Sequence, residues 1–186
     1  MNSTPYQIKL EERFRRIPLT PPPAPWEYVG VYGVGGLENI GFAEESELLL
    51  IVSSSGRGVL NCTTGERVAR DYDTDIPSMH NIIQLQTPGI GPLTDHMIRM
   101  AGLHGGGLST ITHDGWHLEV VHLTWHHSLA FLEPSSASIY HDRTYEQCVK
   151  VYDGEPIRAY GFSYTGESMV IAEGSHSLHI FTRATR

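Results

Sequence analysis

Residues 48–62, LLLIVSSSGRGVLNC, decide the fold class of this chain. Five consecutive apolar residues, Leu48 to Val52, predict a strand that is buried on both of its faces. The Ser/Gly stretch over 53–58 supplies turn residues, and residues 59–62 then predict the returning strand of an antiparallel hairpin. The segment therefore indicates a mainly β fold built from hairpins.

Two further hairpins are predicted downstream. Asp114-Gly115 is a strong signal for a two-residue turn, and it centres a hairpin over residues 108–125. The register of this hairpin predicts a polar face that carries Thr110, Thr112, His117 and Glu119. The opposite face is predicted to be apolar and carries Ile111, Trp116, Leu118 and Val120. The third hairpin is predicted over residues 168–182.

The three hairpins are related in sequence. Gly41-Phe42 precedes Glu47 by the same count that separates Gly161-Phe162 from Glu167, and Ala101-Gly102 lies about midway between them. These starts give a repeat period of about 60 residues. The order of a small residue pair, an apolar strand, a turn and a second strand resembles the inner hairpin of WD-repeat-type β-propeller blades, over about half of the chain.

The resemblance to WD-type blades implies repeated antiparallel units. It does not extend to the family's marker dipeptides, because no Trp-Asp closes a repeat and no Gly-His opens one. The chain is also short for a propeller of about six to eight blades. Only the repeated antiparallel hairpins are therefore carried over as an expectation.

Two helices are predicted outside the hairpins. Leu10, Phe14 and Ile17 recur at helical spacing, so residues 6–16 are predicted to form an amphipathic helix that the proline-rich run 18–25 ends. A second, short helix is predicted over 92–101, where a proline opens the segment and a glycine follows it. We therefore expect an N-terminal arm and connector over 1–25 and a single mainly-β domain over 26–186, with a long loop over 63–80.

The charge of the chain limits its partners. Thirteen basic and 21 acidic residues give a net charge of −8, which is the wrong sign for a protein that binds nucleic acid. Residues 1–25 carry +2, so the rest of the chain carries −10. The densest acidic run is Asp71, Asp73 and Asp75. It does not continue as an EF-hand calcium loop, since Ile76 and Ile82 stand where glycine and glutamate are needed, and we expect it to meet a cationic protein.

The sequence also predicts a compartment and the state of the cysteines. No apolar run approaches the roughly 20 residues that cross a bilayer, and no apolar signal core follows the first residues. We therefore expect a soluble, cytoplasmic protein with no membrane partner. In that compartment Cys62 and Cys148 are expected to be buried thiols.

Histidines raise the question of a metal site, because seven of the eleven lie between His104 and His141. On the predicted strands only His117 and Glu119 share the polar face, and a mononuclear site would need a further ligand such as His126 or His127. We expect no metal and no cofactor. Catalytic residues are not predicted either, because the glycine-rich segment 104–107 resembles the oxyanion-hole segment of lipases but no Gly-x-Ser-x-Gly element accompanies it.

Together these patterns favour a non-enzymatic binding protein that holds another protein through an acidic β surface. In size, acidity and lack of catalytic motifs the chain is similar to bacterial immunity proteins, which neutralise a toxin by protein–protein contact. The predicted partner-binding residues are Asp71, Asp73, Asp75, His117 and Glu119. Two alternatives stay open, a small metal-dependent enzyme that uses His117, Glu119 and a nearby histidine, and a structural scaffold domain.

Overall fold

The computed structural model describes residues 4–74, 83–174 and 176–183, and the chain divides into two compact units. Unit 1 combines Met1–Pro23 with Ile111–Pro156, and unit 2 combines Ala24–Thr110 with Ile157–Arg186. Asp75 lies outside the described residues. The prediction of a single domain over 26–186 stays a prediction.

The described residues form one α-helix and a series of antiparallel strands. The helix is α1, Pro5–Arg16, and two short 3₁₀ segments are Gly91–Leu93 and Tyr145–Gln147. The strands of unit 1 are β9 (His117–Thr124), β10 (His127–Glu133) and β11 (Val149–Gly154). The strands of unit 2 are β1 (Trp26–Gly33), β2 (Leu37–Phe42), β3 (Leu48–Ser53), β4 (Gly56–Asn61), β5 (Glu66–Asp71), β6 (Gln86–Pro88), β7 (Met97–Arg99), β8 (Ala101–Gly102), β12 (Ile157–Phe162), β13 (Ser168–Glu173) and β14 (Ser177–Arg183). The predicted mainly β, antiparallel fold is confirmed.

Unit 1 is a three-stranded sheet covered by the N-terminal helix. The strand order is β11-β10-β9, and the helix begins at a capping box in which Thr4 and Gln7 exchange hydrogen bonds. The apolar face of α1 packs on the sheet, where the rings of Phe14 and Phe131 lie 5.7 Å apart. The helix predicted over 6–16 is confirmed, and its apolar spacing is what buries it against β10.

Unit 2 contains two larger antiparallel sheets that share one core. One has the order β5-β4-β3-β2-β8 and the other the order β1-β14-β13-β12. Their facing side chains, among them Leu49, Ile51, Val170 and Ile180, are buried against one another. On the opposite face of β3, Leu50 and its neighbours pack against the segment that includes β7. Strand β3 is therefore buried on both faces, as its apolar run predicts.

Matching turns precede the first and third predicted hairpins. The amide of Ala43 donates to the carbonyl of Leu48 at 3.0 Å, and the amide of Ser163 donates to that of Ser168 at 2.9 Å. The segments that follow residues 41 and 161 thus fold alike. The midway segment forms the two-residue strand β8 paired with β2. The period of about 60 residues and the likeness to WD-type blades stay predictions.

The helix predicted over 92–101 is wrong. The segment instead forms a 3₁₀ turn followed by β7 and β8, and β7 pairs with β6. Burial there alternates, with Met97 and Arg99 exposed but Ile98 and Met100 in the core. Leu93, Met97 and Ala101 fit a helical period, whereas Ile98 and Met100 fit a two-residue period, and pairing with neighbouring strands favours the second. No helix among the described residues is long and apolar enough to span a membrane.

The hairpin predicted over 108–125 forms only at its turn. The Thr112 amide donates to the Trp116 carbonyl and the Gly115 amide to the Thr112 carbonyl, so the loop has three residues instead of the predicted two. Beyond a single bridge at its first residue, β9 pairs with β10. The short bridge before the turn places Ile111 opposite His117, one residue away from the predicted register. Ile111 is consequently exposed and Thr112 is buried, the reverse of the prediction.

The loop predicted over 63–80 is wrong for its first part. Residues Glu66–Asp71 form β5, an edge strand paired with β4. Four of its six side chains are charged and half of the six are exposed, so the strand lacks the apolar alternation that would predict it. Pairing with β4 supplies the stability that its own sequence does not indicate.

Candidate interaction surface

The predicted pair His117 and Glu119 lies on β9 at the edge of the unit 1 sheet. The two residues are two positions apart and their side chains share a face, as the strand period requires. His117 Nε2 lies 3.8 Å from Glu119 Oε2, and its Nδ1 lies 3.1 Å from Glu133 Oε2 on β10. The imidazole therefore sits between two carboxylates, one predicted and one not.

Glu133 is the buried member of this group, with only 3% of its surface exposed. Its Oε1 accepts a hydrogen bond from the Ile139 amide at 2.7 Å, and the Cys148 thiol donates weakly to the same oxygen at 3.9 Å. On the exposed side the hydroxyl of Tyr140 donates to Glu119 Oε1 at 2.8 Å. The group is a connected hydrogen-bond network that joins β9, β10 and the loop after β10.

The metal-dependent alternative depended on a third ligand near His117 and Glu119. Among the residues that the structure describes, these two side chains and a further His, Cys, Asp or Glu do not converge on one point. His127 instead pairs with Asp153, its Nε2 lying 2.7 Å from Oδ1. His127 and Asp153, like His117 and Glu133, thus pair with each other.

The two cysteines are poor nucleophiles. Burial raises the pKa of the Cys148 thiol to about 12, and the neighbouring Glu133 carboxylate adds to the rise. Burial likewise raises the pKa of Cys62, with a further contribution from Glu47. Both side chains are buried free thiols, as the sequence predicts.

The acidic run that was predicted to meet a partner is partly engaged within unit 2. Asp71 Oδ2 accepts a hydrogen bond from Arg57 Nη2 at 2.6 Å, and its Oδ1 accepts one from the Asp73 amide at 2.9 Å. The Asp73 amide and the Arg57 guanidinium hold the pKa of Asp71 below its ordinary value. Asp73 itself is exposed, and Asp75 lies outside the described residues.

Besides Glu133, sequence analysis missed Trp125. It stands in the two-residue turn between β9 and β10, and 90% of its side chain is exposed. Trp and His are not usual turn formers, so the Trp125-His126 pair gave no turn signal. The available signal was the apolar strand that begins two residues later. If that strand pairs with the one before it, a tight turn must lie at residues 125 and 126.

The strands behind Trp125 are held by polar contacts. Asp153 on β11 accepts hydrogen bonds from His127 and from Lys150, whose Nζ lies 2.9 Å from Oδ2. Burial alone would raise the pKa of Asp153, but the hydrogen bonds from Lys150 and His127 outweigh it and lower the value. His122 Nδ1 and Ser128 Oγ lie 2.8 Å apart across the β9–β10 pair. The hairpin thus carries an exposed indole at its turn, and side-chain hydrogen bonds connect its strands to each other and to β11.

We call the exposed part of this hairpin, Trp125 with His126, the hairpin tip. A large amphipathic ring that costs little conformational entropy to immobilise is the type of side chain that dominates protein–protein contacts. Strand β9 is in addition the edge of its sheet, next to the tip. No protein-family model and no curated protein sequence matches this chain.

Proposed function

We propose that this chain is a non-enzymatic binding protein that holds a cationic protein through the hairpin tip of unit 1. The observation that carries the proposal is the 90% exposure of Trp125 at the end of a hairpin. An isolated indole in water contributes nothing to folding, whereas at an interface it buries about 150–250 Å².

The support behind the tip favours binding with little rearrangement. The His127–Asp153 contact joins β10 to β11 next to the turn, and Lys150 pairs with Asp153 within β11. A hairpin backbone that is already ordered loses less entropy when a partner immobilises it. Trp125 therefore combines a large exposed ring with a place on a hairpin that is tied to β11.

The charge of the chain supports a cationic partner. The chain carries −8 in total, and unit 1 contributes six basic and nine acidic side chains. A lysine or arginine of the partner could be attracted by this charge and then stack on the indole face in a cation–π contact. We propose that His117 and Glu119, towards the other end of β9 from the tip, extend this surface along the edge strand.

The most specific form of the proposal is an immunity protein that acts in the cytoplasm and neutralises a toxin by covering its basic surface. It rests on the acidity and size of the chain together with the exposed anchor. The captured partner would then inhibit growth when it is produced alone, and production of this chain alongside it would restore growth.

The test isolates a partner with the wild-type protein, purifies it and measures affinity for three chains by calorimetry. Trp125→Ala is expected to weaken a one-to-one complex by about 30-fold or more, because removal of a central anchor costs about 2 kcal/mol or more. Tyr164→Ala, which removes an exposed ring from unit 2, is the matched control and should change affinity less than about twofold. Equal affinity of the wild type and Trp125→Ala would exclude the tip as the binding site.

A further inference from the structure

A separate cavity of about 360 Å³ lies in unit 2, beside strands β3 to β5 on the face that carries Ile51 and Leu60. Its floor is apolar and is built from buried residues such as Ile51 and Leu60. Two arginines, Arg67 and Arg70, and two tyrosines, Tyr32 and Tyr72, stand around it. A pocket of this size is at the small end of the range that holds organic ligands.

The charge of this cavity is opposite to that of the chain. Among the described residues, its lining includes Arg67 and Arg70 but no aspartate or glutamate, although the chain as a whole carries −8. Within the described ranges neither arginine has a carboxylate at ion-pair distance. Arg70 Nη2 donates instead to the Ser55 carbonyl at 2.8 Å, and its guanidinium stacks 4.8 Å above the ring of Tyr72.

A β-bulge explains how both arginines face the cavity. Residues three apart on a regular strand point to opposite faces, so Arg67 and Arg70 should diverge. The register skips Val68, because Leu60 pairs with Arg67, Val59 with Ala69 and Gly58 with Arg70. The extra residue turns both guanidinium groups to the side of Leu60 and Gly58.

The same bulge sends the acidic side chains of β5 to the opposite face. Glu66 pairs with Asn61 and Asp71 pairs with Arg57, positions that alternate with those of the two arginines. The carboxylate of Asp71 is held there by Arg57. The strand thus separates its charges, with cations towards the cavity and anions away from it.

Glycine keeps the cavity open between the arginines and the floor. A Cβ built on Gly58 would lie 3.8 Å from Arg70 Nη1 and 3.7 Å from the Ala69 carbonyl, which are ordinary contacts. A side chain could therefore stand at position 58 and would project beside Arg70. A substitution at this position tests the cavity without removing either arginine.

We propose that this cavity binds a small aromatic anion, with a phosphate or carboxylate held by Arg67 and Arg70 and the ring on the apolar floor. Paired guanidinium groups match the oxygens of such an anion in bidentate geometry. The adjacent tyrosines and the Ile51 and Leu60 floor suit a planar apolar body. This site belongs to unit 2 and is independent of the Trp125 surface.

The test is a titration of the full chain with phenyl phosphate, followed by ¹H–¹⁵N correlation spectra. We expect saturable shifts centred on Gly58, Arg67 and Arg70, with benzoate competing for the same site. Inorganic phosphate should bind about tenfold more weakly, because it lacks the ring. The combined Arg67→Gln and Arg70→Gln variant should also lose about tenfold or more in affinity.

Two further variants show whether a loss of binding comes from the cavity itself or only from a change in net charge. Gly58→Val, which fills the cavity but keeps both arginines, should abolish binding of phenyl phosphate. Arg143→Gln removes one exposed charge from unit 1 and should leave the affinity within about twofold. Melting curves show whether each variant is folded.

Three results would overturn the proposal. One is an absence of shifts at about 10 mM phenyl phosphate, a concentration that saturates even millimolar sites. Another is wild-type affinity in the folded double arginine variant or in folded Gly58→Val. The third is a phosphotyrosine peptide that binds more than about tenfold tighter than phenyl phosphate, since the occupant would then be a protein segment. Trp125→Ala should leave these shifts unchanged, so failure here is distinguishable from failure of the protein-binding proposal.

Discussion

The guanidinium of Arg57 on β4 lies directly opposite the carboxylate of Asp71 on β5, with Nη2 2.6 Å from Oδ2. The second nitrogen, Nη1, donates to the Pro88 carbonyl at 2.8 Å, and Arg57 is only 6% exposed. Asp71 is therefore the counter-ion of a nearly buried cation. The contact also links the edge strand β5 to the strand pair that begins at β6.

Asp71→Asn is expected to lower the melting temperature more than Asp73→Asn does, because only the first change leaves Arg57 without its counter-ion. The Asp73 amide and Arg57 lower the pKa of Asp71, so this contribution is present above the ordinary aspartate pKa of about 3.9 and is lost as pH falls below it. Melting curves between about pH 3 and pH 7 measure both effects. An equal decrease for the two variants would contradict the assigned role of Asp71.

Leu50→Ala is expected to destabilise the protein by about 2–5 kcal/mol, because Leu50 is fully buried on the outer face of β3 and its removal leaves a cavity. Val68→Ala is the matched control. Val68 stands at the bulge of β5 and is 43% exposed, so its loss should cost less than about 1 kcal/mol. Urea unfolding of both variants gives the two free energies, and similar losses would show that the assigned burial of β3 is wrong.

Short-range signals account for the elements that the sequence predicts well. The apolar run 48–52 and the Ser/Gly turn after it specify β3 and β4, and the spacing of Leu10 and Phe14 specifies α1. In the segment 92–101 the local signal is ambiguous, since Leu93, Met97 and Ala101 fit a helical period while Ile98 and Met100 fit a strand period. The pairing of β7 with β6 and of β8 with β2 makes this segment extended, and that pairing cannot be read from a short stretch of sequence.

The candidate surface shows the same limit. His117 and Glu119 were predicted as a pair because their spacing of two depends only on β9. Glu133, which completes the network, lies 16 residues from His117 and meets it only because β9 pairs with β10. Asp114-Gly115 has the stronger turn signal, yet the longer strands meet at Trp125-His126. Exposure of Trp125 follows from that pairing and could not be read from composition.

Glu133→Ala is expected to destabilise unit 1 by about 1–3 kcal/mol. The change removes the acceptor of the buried Ile139 amide and also the partner of His117, whose side chain is one-third exposed. Glu119→Gln should cost less than about 1 kcal/mol, because Glu119 is one-quarter exposed and glutamine can still accept from Tyr140. Chemical denaturation measures both, and a loss at Glu119→Gln that equals the loss at Glu133→Ala would contradict the network described above.

The thiols are expected to stay unreactive in the folded protein. Burial raises the pKa of Cys148 to about 12 and also raises that of Cys62. A disulfide reagent at about pH 8 should therefore label neither cysteine until the chain is denatured. Unfolded thiols ionise near pH 8.5 and the folded ones do not, so stability should fall as pH rises from about 8.5 towards 12. Rapid labelling of either cysteine in native protein would contradict this.

Electrostatic steering should govern how fast the partner associates. A chain that carries −8 attracts a cationic protein over a distance, so the association rate should fall steeply as salt rises, while dissociation changes much less. The Asp73→Asn and Asp75→Asn double variant tests the acidic run, because it spares Asp71 and leaves the contact with Arg57 intact. If the run faces the partner, the double variant should associate more slowly at low salt and approach the wild-type rate at high salt. Trp125→Ala should instead mainly accelerate dissociation, since the indole stabilises the complex only once the two proteins are in contact. An unchanged association rate of the double variant at every salt concentration would remove the acidic run from the interface and leave the Trp125 hairpin as its centre.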